Sequence, residues 1–351
     1  MSQYFKSLSP DSEFEHALVT CKRRNQRSAE LTQGVVRISE IDVPYLRSEI
    51  DLLTSTLRVM SRLRQVVFEE QPSIIHLHAA HELSIFTVKI ARELNIPLIY
   101  HFHGGVDRQL MSALKPVLPF LKNVLAVSQE VRQSLLPYLS SNAEVRVIVN
   151  GVEDLLGTPV QVDRNPNYTL LIAGRIEYEK GFDVAIRALS LILEEFPSVR
   201  LLVIGSGSRY ESLKKLGKQL GVSSQIDFLG NLKNCQVVEK IQQSDIVLVP
   251  SRAEEGFGIV AIEAALREVL VIASDVGGLR YTVEDKKSGF LVPAENAIAL
   301  AQKVKEVLRN LNSFDEMRIY SRLRALNLFS IENFRSNLEG YYGRLLNGEK
   351  S

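Results

Sequence analysis

Two glutamates flanking a glycine-rich loop carry the strongest chemical signal in this chain. Glu255 lies in the run Pro250-Ser251-Arg252-Ala253-Glu254-Glu255-Gly256-Phe257-Gly258, and Glu263 follows in Ile259-Val260-Ala261-Ile262-Glu263-Ala264. The stretch before them, Asp245 followed by the apolar residues 246–249, has the pattern of a buried strand. A helix is predicted from residue 258 to 266, with Glu263 one to two turns inside it. Free N–H groups at a helix start carry about half a positive charge. With no side chains at Gly256 and Gly258, an anion can come close to that backbone. Glu255 can then face the polar part of a ligand while Glu263 reaches another part, such as a diol.

A second constellation precedes it. Gly174-Arg175-Ile176-Glu177-Tyr178-Glu179-Lys180-Gly181 places two cations on a loop that leads into a helix. Arginine holds a phosphate through a bidentate fork and lysine adds a point charge. Elsewhere, Gly205-Ser206-Gly207-Ser208 is not a dinucleotide fingerprint, because Tyr210 stands where its third glycine would be.

The elements that must position these residues alternate along the whole chain, the signature of parallel βαβ units. In the first half, strands are predicted at 17–20, 35–38, 74–78, 97–103, 124–127 and 145–149, with helices at 44–70, 82–94 and 128–139. Residues 157–168 are rich in Pro, Asn and Asp and read as a linker. The pattern then restarts, with strands at 169–173, 200–204, 226–229, 246–249, 269–273 and 290–292. Helices fill 182–196, 210–220, 236–243, 258–266 and 297–311. Four strands of this half end in small or special residues: Gly174-Arg175, Gly205-Ser206-Gly207, Pro250-Ser251 and Ser274-Asp275-Val276-Gly277-Gly278. Carboxyl ends of strands line the ligand crevice of an open parallel sheet, and glycines there let backbone approach a phosphate. A nucleotide-like ligand on that edge follows.

At 351 residues, the chain is long enough for two domains that each bury a core. Its formal net charge of +1 gives no electrostatic case for nucleic acid as a partner. Cys21 and Cys235 form no metal-ligand cluster and point to a reducing compartment. The first residues lack the apolar run of a signal peptide, and no stretch of about 18 apolar residues could span a membrane. His101 and His103 share one face of a strand by its period of two, and His76 and His78 end another. His76 and His78 read as polar groups at the edge of a ligand crevice, and no metal site is expected.

Glu255 and Glu263 together resemble the Glu-x7-Glu motif of retaining glycosyltransferases with the GT-B fold, as in glycosyltransferase family 4. The likeness runs from about residue 74 to the C-terminus and is strongest over 170–292. It implies two Rossmann-like, doubly wound α/β domains facing a central cleft. The expected limits are 1–156 for an acceptor-side domain, 157–168 for the linker and 169–327 for the nucleotide-sugar donor domain. Residues 328–351, with helical spacing over 331–346, are expected to pack back on the first domain.

The resemblance also implies roles. Arg175 and Lys180 would neutralise the β-phosphate of the leaving nucleoside diphosphate, Glu255 would meet the transferred sugar, and Glu263 the ribose. His103 would face the donor sugar. Gly174, Gly205, Gly207, Gly256, Phe257, Gly258, Ile259 and Val260 would shape the donor pocket. Leu229 and Asn231, in the turn after a strand, would meet the base through backbone groups. The activity implied is transfer from a nucleotide-sugar donor to a hydroxyl of a carbohydrate or lipid-linked acceptor, with no metal and no cofactor. It implies a cytoplasmic protein, compatible with peripheral contact at the inner membrane face. Two rivals remain, a non-catalytic GT-B subunit and a sugar-nucleotide epimerase of the same fold.

The resemblance fails in places. The family's opening strand, Gly-rich loop and long helix are expected to be absent, since only fourteen residues precede Glu15 and none is glycine; a natural short variant, a truncated start and a loss of catalysis all fit this. Glu268 and Leu270 stand where the family prefers Gly and Pro, and Tyr281 where a Glu follows the Gly pair.

Overall fold

The computed structural model describes residues 16–23, 36–43, 49–78, 82–104, 108–159, 167–252 and 255–348. They fall into two compact units. One takes the chain up to Val127, Arg132–Gly151 and Phe334 onward; the other takes Ser128–Val131 and Val152–Asn333. The opening segment at issue in the resemblance, residues 1–15, lies outside the described residues.

In the first unit, β1 (His16–Arg23) and β2 (Val36–Val43) pair in parallel as a sheet of their own. A second parallel sheet holds β3 (Ile75–Leu77), β4 (Leu98–Phe102), β5 (Asn123–Ala126) and β6 (Glu144–Val147) in chain order. The helices are α1 (Glu49–Glu70), α2 (Glu82–Glu93), α3 (Arg108–Leu114) and α4 (Gln129–Leu135), of which Arg132 onward belongs to this unit. Val59, Leu63 and Val67 recur at helical spacing on α1 and bury against Ile90 of α2. The helix predicted over 128–139 stops at Leu135, and Leu136–Tyr138 form a 3₁₀ turn. Pro137 lacks the N–H that a further α turn needs.

The second unit holds one six-stranded parallel sheet. Its strands are β7 (Thr169–Ala173), β8 (Arg200–Ile204), β9 (Ile226–Gly230), β10 (Ile246–Val249), β11 (Leu270–Ser274) and β12 (Phe290–Val292). They lie in the order β12-β11-β10-β7-β8-β9. The chain winds one way from β7 to β9, returns, and winds the other way from β10 to β12. The switch point is the gap between β7 and β10, where the carboxyl ends of such sheets leave room for a ligand.

Helices cover both faces of this sheet: α5 (Phe182–Ile192), α6 (Tyr210–Gln219), α7 (Asn234–Gln242), α8 (Ile259–Leu266), α9 (Leu279–Thr282), α10 (Ala297–Arg309) and α11 (Asp315–Phe329). Leu170 and Ile172 bury with α5 and α10 in one core, while Leu171, Val247 and Val271 bury with α8 in the other. Burial on both faces explains why these strands read as unbroken apolar runs. α5 ends four residues earlier than predicted, ahead of Pro197, which disfavours helix in the residue before it. The final helix, α12 (Ile331–Leu346), brings Tyr342 to within 2.6 Å of His76 of β3. Among the described residues no helix is long and apolar enough to cross a membrane.

Candidate functional site

Backbone contacts that only glycine permits hold the strand ends of the second unit together. Gly174 (φ +148°) follows β7 and Gly205 (φ +131°) follows β8. A Cβ on Gly205 would stand 1.9 Å from the Gly174 carbonyl oxygen, and one on Gly207 would stand 2.3 Å from the Ile176 oxygen. Gly181 (φ +66°) caps the turn Tyr178–Lys180, and its Cβ would meet the Pro250 oxygen at 1.9 Å. The loops after β7, β8 and β10 are thus in backbone contact at the switch point.

Lys180 and Glu255 meet there. The Lys180 Nζ donates to Glu255 Oε2 at 2.6 Å, and the Ser251 Oγ donates to the same oxygen at 2.9 Å. Ser251 is buried, while the lysine and glutamate side chains are 26% and 15% exposed, so the charges are partly desolvated yet reachable. Gly278 N–H donates to the Glu255 carbonyl at 2.7 Å, which ties the loop after β11 to the same place.

Arg252, to which the sequence reading gave no role, holds the two loops in register. Its guanidinium donates to Asp183 Oδ1 at 2.7 Å and to the Tyr178 carbonyl at 2.9 Å. It also lies 4.3 Å from the centre of the Tyr178 ring, and its backbone N–H donates to the Glu179 carbonyl at 2.8 Å. Burial alone would push the Asp183 carboxyl up; the Arg252 pair outweighs it and holds the carboxyl below its ordinary value. The available signal was the Arg–Asp pair itself, but its partners are far apart in the chain and only the fold joins them.

Arg175 is not drawn into the Lys180–Glu255 pair. Its side chain is 72% exposed and donates to Glu179 at 3.2 Å. Phe257 is buried edge-on against Phe329, so it offers a ligand only its backbone. Gly258 (φ +79°) precedes α8, and a Cβ there would press the Leu279 side chain at 2.4 Å. Ile259 is exposed and Val260 half-buried at the helix start.

Glu263 is 6% exposed, inside α8. Burial raises its carboxyl from the ordinary 4.5 to about 7, offset in part by a bond from the Asn234 side chain. Asn234 opens α7, three residues beyond Asn231, which is exposed; Leu229 is half-buried on β9.

His103 belongs to the first unit, just past β4. His78 Nδ1 and His103 Nε2 are 2.8 Å apart. Burial brings the His103 imidazole down to about 4, against a side-chain bond with Asn150 that favours the charged form. Burial likewise holds His78 and His101 well below the ordinary value of 6.5. One group of the described residues has ligand atoms close enough for a metal ion, and it is His76, His78 and His101.

Comparison with known proteins gives the following likenesses. Residues 10–154 match the family model described as Glycosyltransferase Family 4, and residues 160–324 match that of Glycosyl transferases group 1. The phosphatidyl-myo-inositol mannosyltransferase of Mycobacterium leprae (strain TN) is 31% identical over 281 residues, which cover 77% of this chain and 73% of that protein. Its counterpart in Mycobacterium tuberculosis (strain ATCC 25618 / H37Rv) is 30% identical over 252 residues, 68% of this chain and 65% of that one. Among solved structures, sucrose-phosphate synthase (tll1590) from Thermosynechococcus elongatus superposes with a TM-score of 0.80 at 21% identity, over 95% of this chain and 89% of that one. Anabaena Alr3699/HepE in complex with UDP and glucose gives 0.75 at 17%, over 88% and 86%. At these identities the structures speak for the fold, two-domain α/β with parallel sheets, as in GT-B glycosyltransferases.

Proposed function

The chain belongs to glycosyltransferase family 4, and on that footing we propose that it transfers a sugar from a nucleotide-sugar donor to a hydroxyl acceptor, with retention at the anomeric carbon and without a metal in the chemistry. The observation that carries this reading is the Lys180–Glu255 contact of 2.6 Å at the switch point between β7 and β10. A cation and a carboxylate held together at the strand ends suit a ligand with an anionic part and a polyol part. The relative complexed with UDP and glucose supports a nucleoside diphosphate as the anionic part. The relatives named as phosphatidyl-myo-inositol mannosyltransferases support a lipid-linked or carbohydrate hydroxyl as acceptor.

The roles follow from charge and burial. Lys180 and the exposed Arg175 neutralise the β-phosphate as it departs, the electrostatic term that dominates such reactions. Glu255 binds sugar hydroxyls, and Glu263 the ribose, once a ligand replaces its Asn234 bond. The anomeric C–O bond to phosphate breaks, a new C–O bond forms to the acceptor on the same face, and the acceptor proton passes to the departing phosphate oxygen. No side chain is asked to act as nucleophile.

A panel of nucleotide-sugars screened by thermal shift and hydrolysis, with and without chelator, tests the reading. One base should stabilise the protein, turnover should survive the chelator, and NMR of the product should show the donor's anomeric configuration. Donor isomerisation without acceptor would replace this reading with the epimerase. If no nucleotide binds, the protein is a non-catalytic member of the family.

A further inference from the structure

Four histidines of the first unit leave one face of a sheet. β3 and β4 run parallel, with His76 opposite Ile99 and Leu77 opposite Tyr100, so the next opposed pair is His78 and His101. Opposed residues point the same way and the pleat repeats every two residues. His76, His78, His101 and His103 therefore project together. The ring centroids of His76 and His78 lie 3.9 Å apart, and those of His78 and His101 lie 5.3 Å apart. One ligand atom from each of His76, His78 and His101 lies within 4.8 Å of the other two.

The surroundings point to an occupant. His101 is 2% exposed, and both its ring nitrogens are buried with no hydrogen-bond partner among the described residues. Native proteins rarely bury such atoms unpaired without an ion or water to meet them. His76 is bonded through Nδ1 to the Tyr342 hydroxyl at 2.6 Å, and His78 through Nδ1 to His103 at 2.8 Å. Outer bonds of this kind fix the tautomer and orientation of metal-ligating histidines, presenting Nε2 to the ion.

We propose that His76, His78 and His101 bind one late first-row divalent cation, with zinc as the reference case. An all-imidazole set suits zinc, cobalt, nickel and copper, whereas magnesium and calcium seek oxygen. Tetrahedral zinc at about 2.0–2.1 Å from nitrogen needs ligand atoms about 3.3 Å apart, so the rings must rotate inward from their present spacing. His76 and His78 are half-buried and give the ion a path from solvent. His103 stays outside the ligand set. With the ion bound, His78 donates its Nδ1–H to His103 Nε2, which fixes the tautomer of His103. The cation takes no part in the transfer chemistry, so the site stands or falls apart from that reading.

The test uses the full chain without a histidine tag and with Cys235→Ser, which removes an exposed thiol that would compete for the ion. Chelator-stripped protein is titrated at neutral pH with zinc by calorimetry and with cobalt by visible absorbance. One equivalent should bind, cobalt should show a tetrahedral spectrum, and magnesium should not compete. His76→Gln and His78→Gln should each weaken binding by at least about 100-fold, since losing a ligand costs more than the roughly 10–100-fold that losing one of its outer partners costs. Circular dichroism confirms that both variants fold; they are preferred to a change at the fully buried His101. The substitution His16→Gln should leave binding intact. No stoichiometric binding by the stripped protein, or full affinity in both His76→Gln and His78→Gln, would overturn the site.

Discussion

The Lys180 ammonium and the Glu255 carboxylate, 75 residues apart in the chain, are 2.6 Å apart where β7 and β10 lie side by side. A nucleoside diphosphate arriving there competes with Glu255 for the lysine charge. Glu255→Gln removes the competitor, and the amide still has Ser251 as a partner. Diphosphate binding should tighten by a few-fold, about 0.5–1 kcal/mol on the scale of partly exposed ion pairs. Transfer should collapse, because the carboxylate assigned to the sugar is gone. Calorimetry with uridine, guanosine and adenosine diphosphates, set beside turnover, checks both halves. Unaltered turnover would take Glu255 out of the site.

Arg175 offers a cleaner separation of activity from stability. Its side chain is 72% exposed and its ion pair with Glu179 is a surface pair four residues apart. Such pairs contribute about 0.3–0.5 kcal/mol. Arg175→Ala should therefore barely move the unfolding midpoint. Loss of one preorganised charge at a departing oxyanion should cost about 100- to 1000-fold in kcat. Lys180→Ala should lose as much in kcat but also some stability, because Glu255 keeps only Ser251. If kcat is unchanged in both variants, the two cations serve the surface alone.

The sequence made the second unit readable because its strands are buried on both faces and several of them end in glycine or other turn residues. α11 (Asp315–Phe329) escaped for the opposite reason. Arg318 and Ser321 are buried on it while Ile319, Tyr320 and Leu323 are exposed, so its apolar period does not mark its inward face. The same limit applies to the site. Glycines and charges at strand ends could be read one loop at a time. The contact of Lys180 with Glu255, the grip of Arg252 on Asp183, and Asn234 on Glu263 each join separate segments of the chain. Likewise the pairs His76/His78 and His101/His103 were visible, but only the register of β3 against β4 shows that they share a face.

Glu263 predicts a pH signature. Burial lifts its carboxyl from 4.5 to about 7 in the folded protein. Between those values the folded state binds more protons than the unfolded one, so this group makes stability fall as pH rises through the window. The loss is complete above about 7 and amounts to about 3 kcal/mol. Glu263→Gln, neutral throughout, should match the wild type below 4.5 and exceed it increasingly up to pH 7. The same variant should bind nucleoside diphosphates more weakly, since an amide replaces the carboxylate assigned to the ribose. Thermal melts of both proteins across this range supply the first result; a stability difference that does not vary with pH would contradict the raised carboxyl.

Glu268 ends α8 in a conformation that suits glycine. Its φ is +55°, its N–H donates to the Ala265 carbonyl at 3.0 Å, and the next N–H, of Val269, donates to the Ala264 carbonyl at 3.0 Å. This is the paired-bond helix ending whose left-handed residue is usually glycine. A side chain there costs roughly 1–2 kcal/mol. Against this stand the weak approach of its carboxylate to Arg322, at 3.9 Å, and about 0.4–1 kcal/mol of extra freedom that glycine gives the unfolded chain. The strain is the larger quantity, so Glu268→Gly should raise the unfolding midpoint by about 1–3 °C. Glu268→Ala keeps the strain and loses the contact with Arg322, so its midpoint should fall below that of the wild type. Calorimetric melts of the three proteins decide the order, glycine above glutamate above alanine; an alanine variant as stable as the glycine one would show that the backbone there carries no strain.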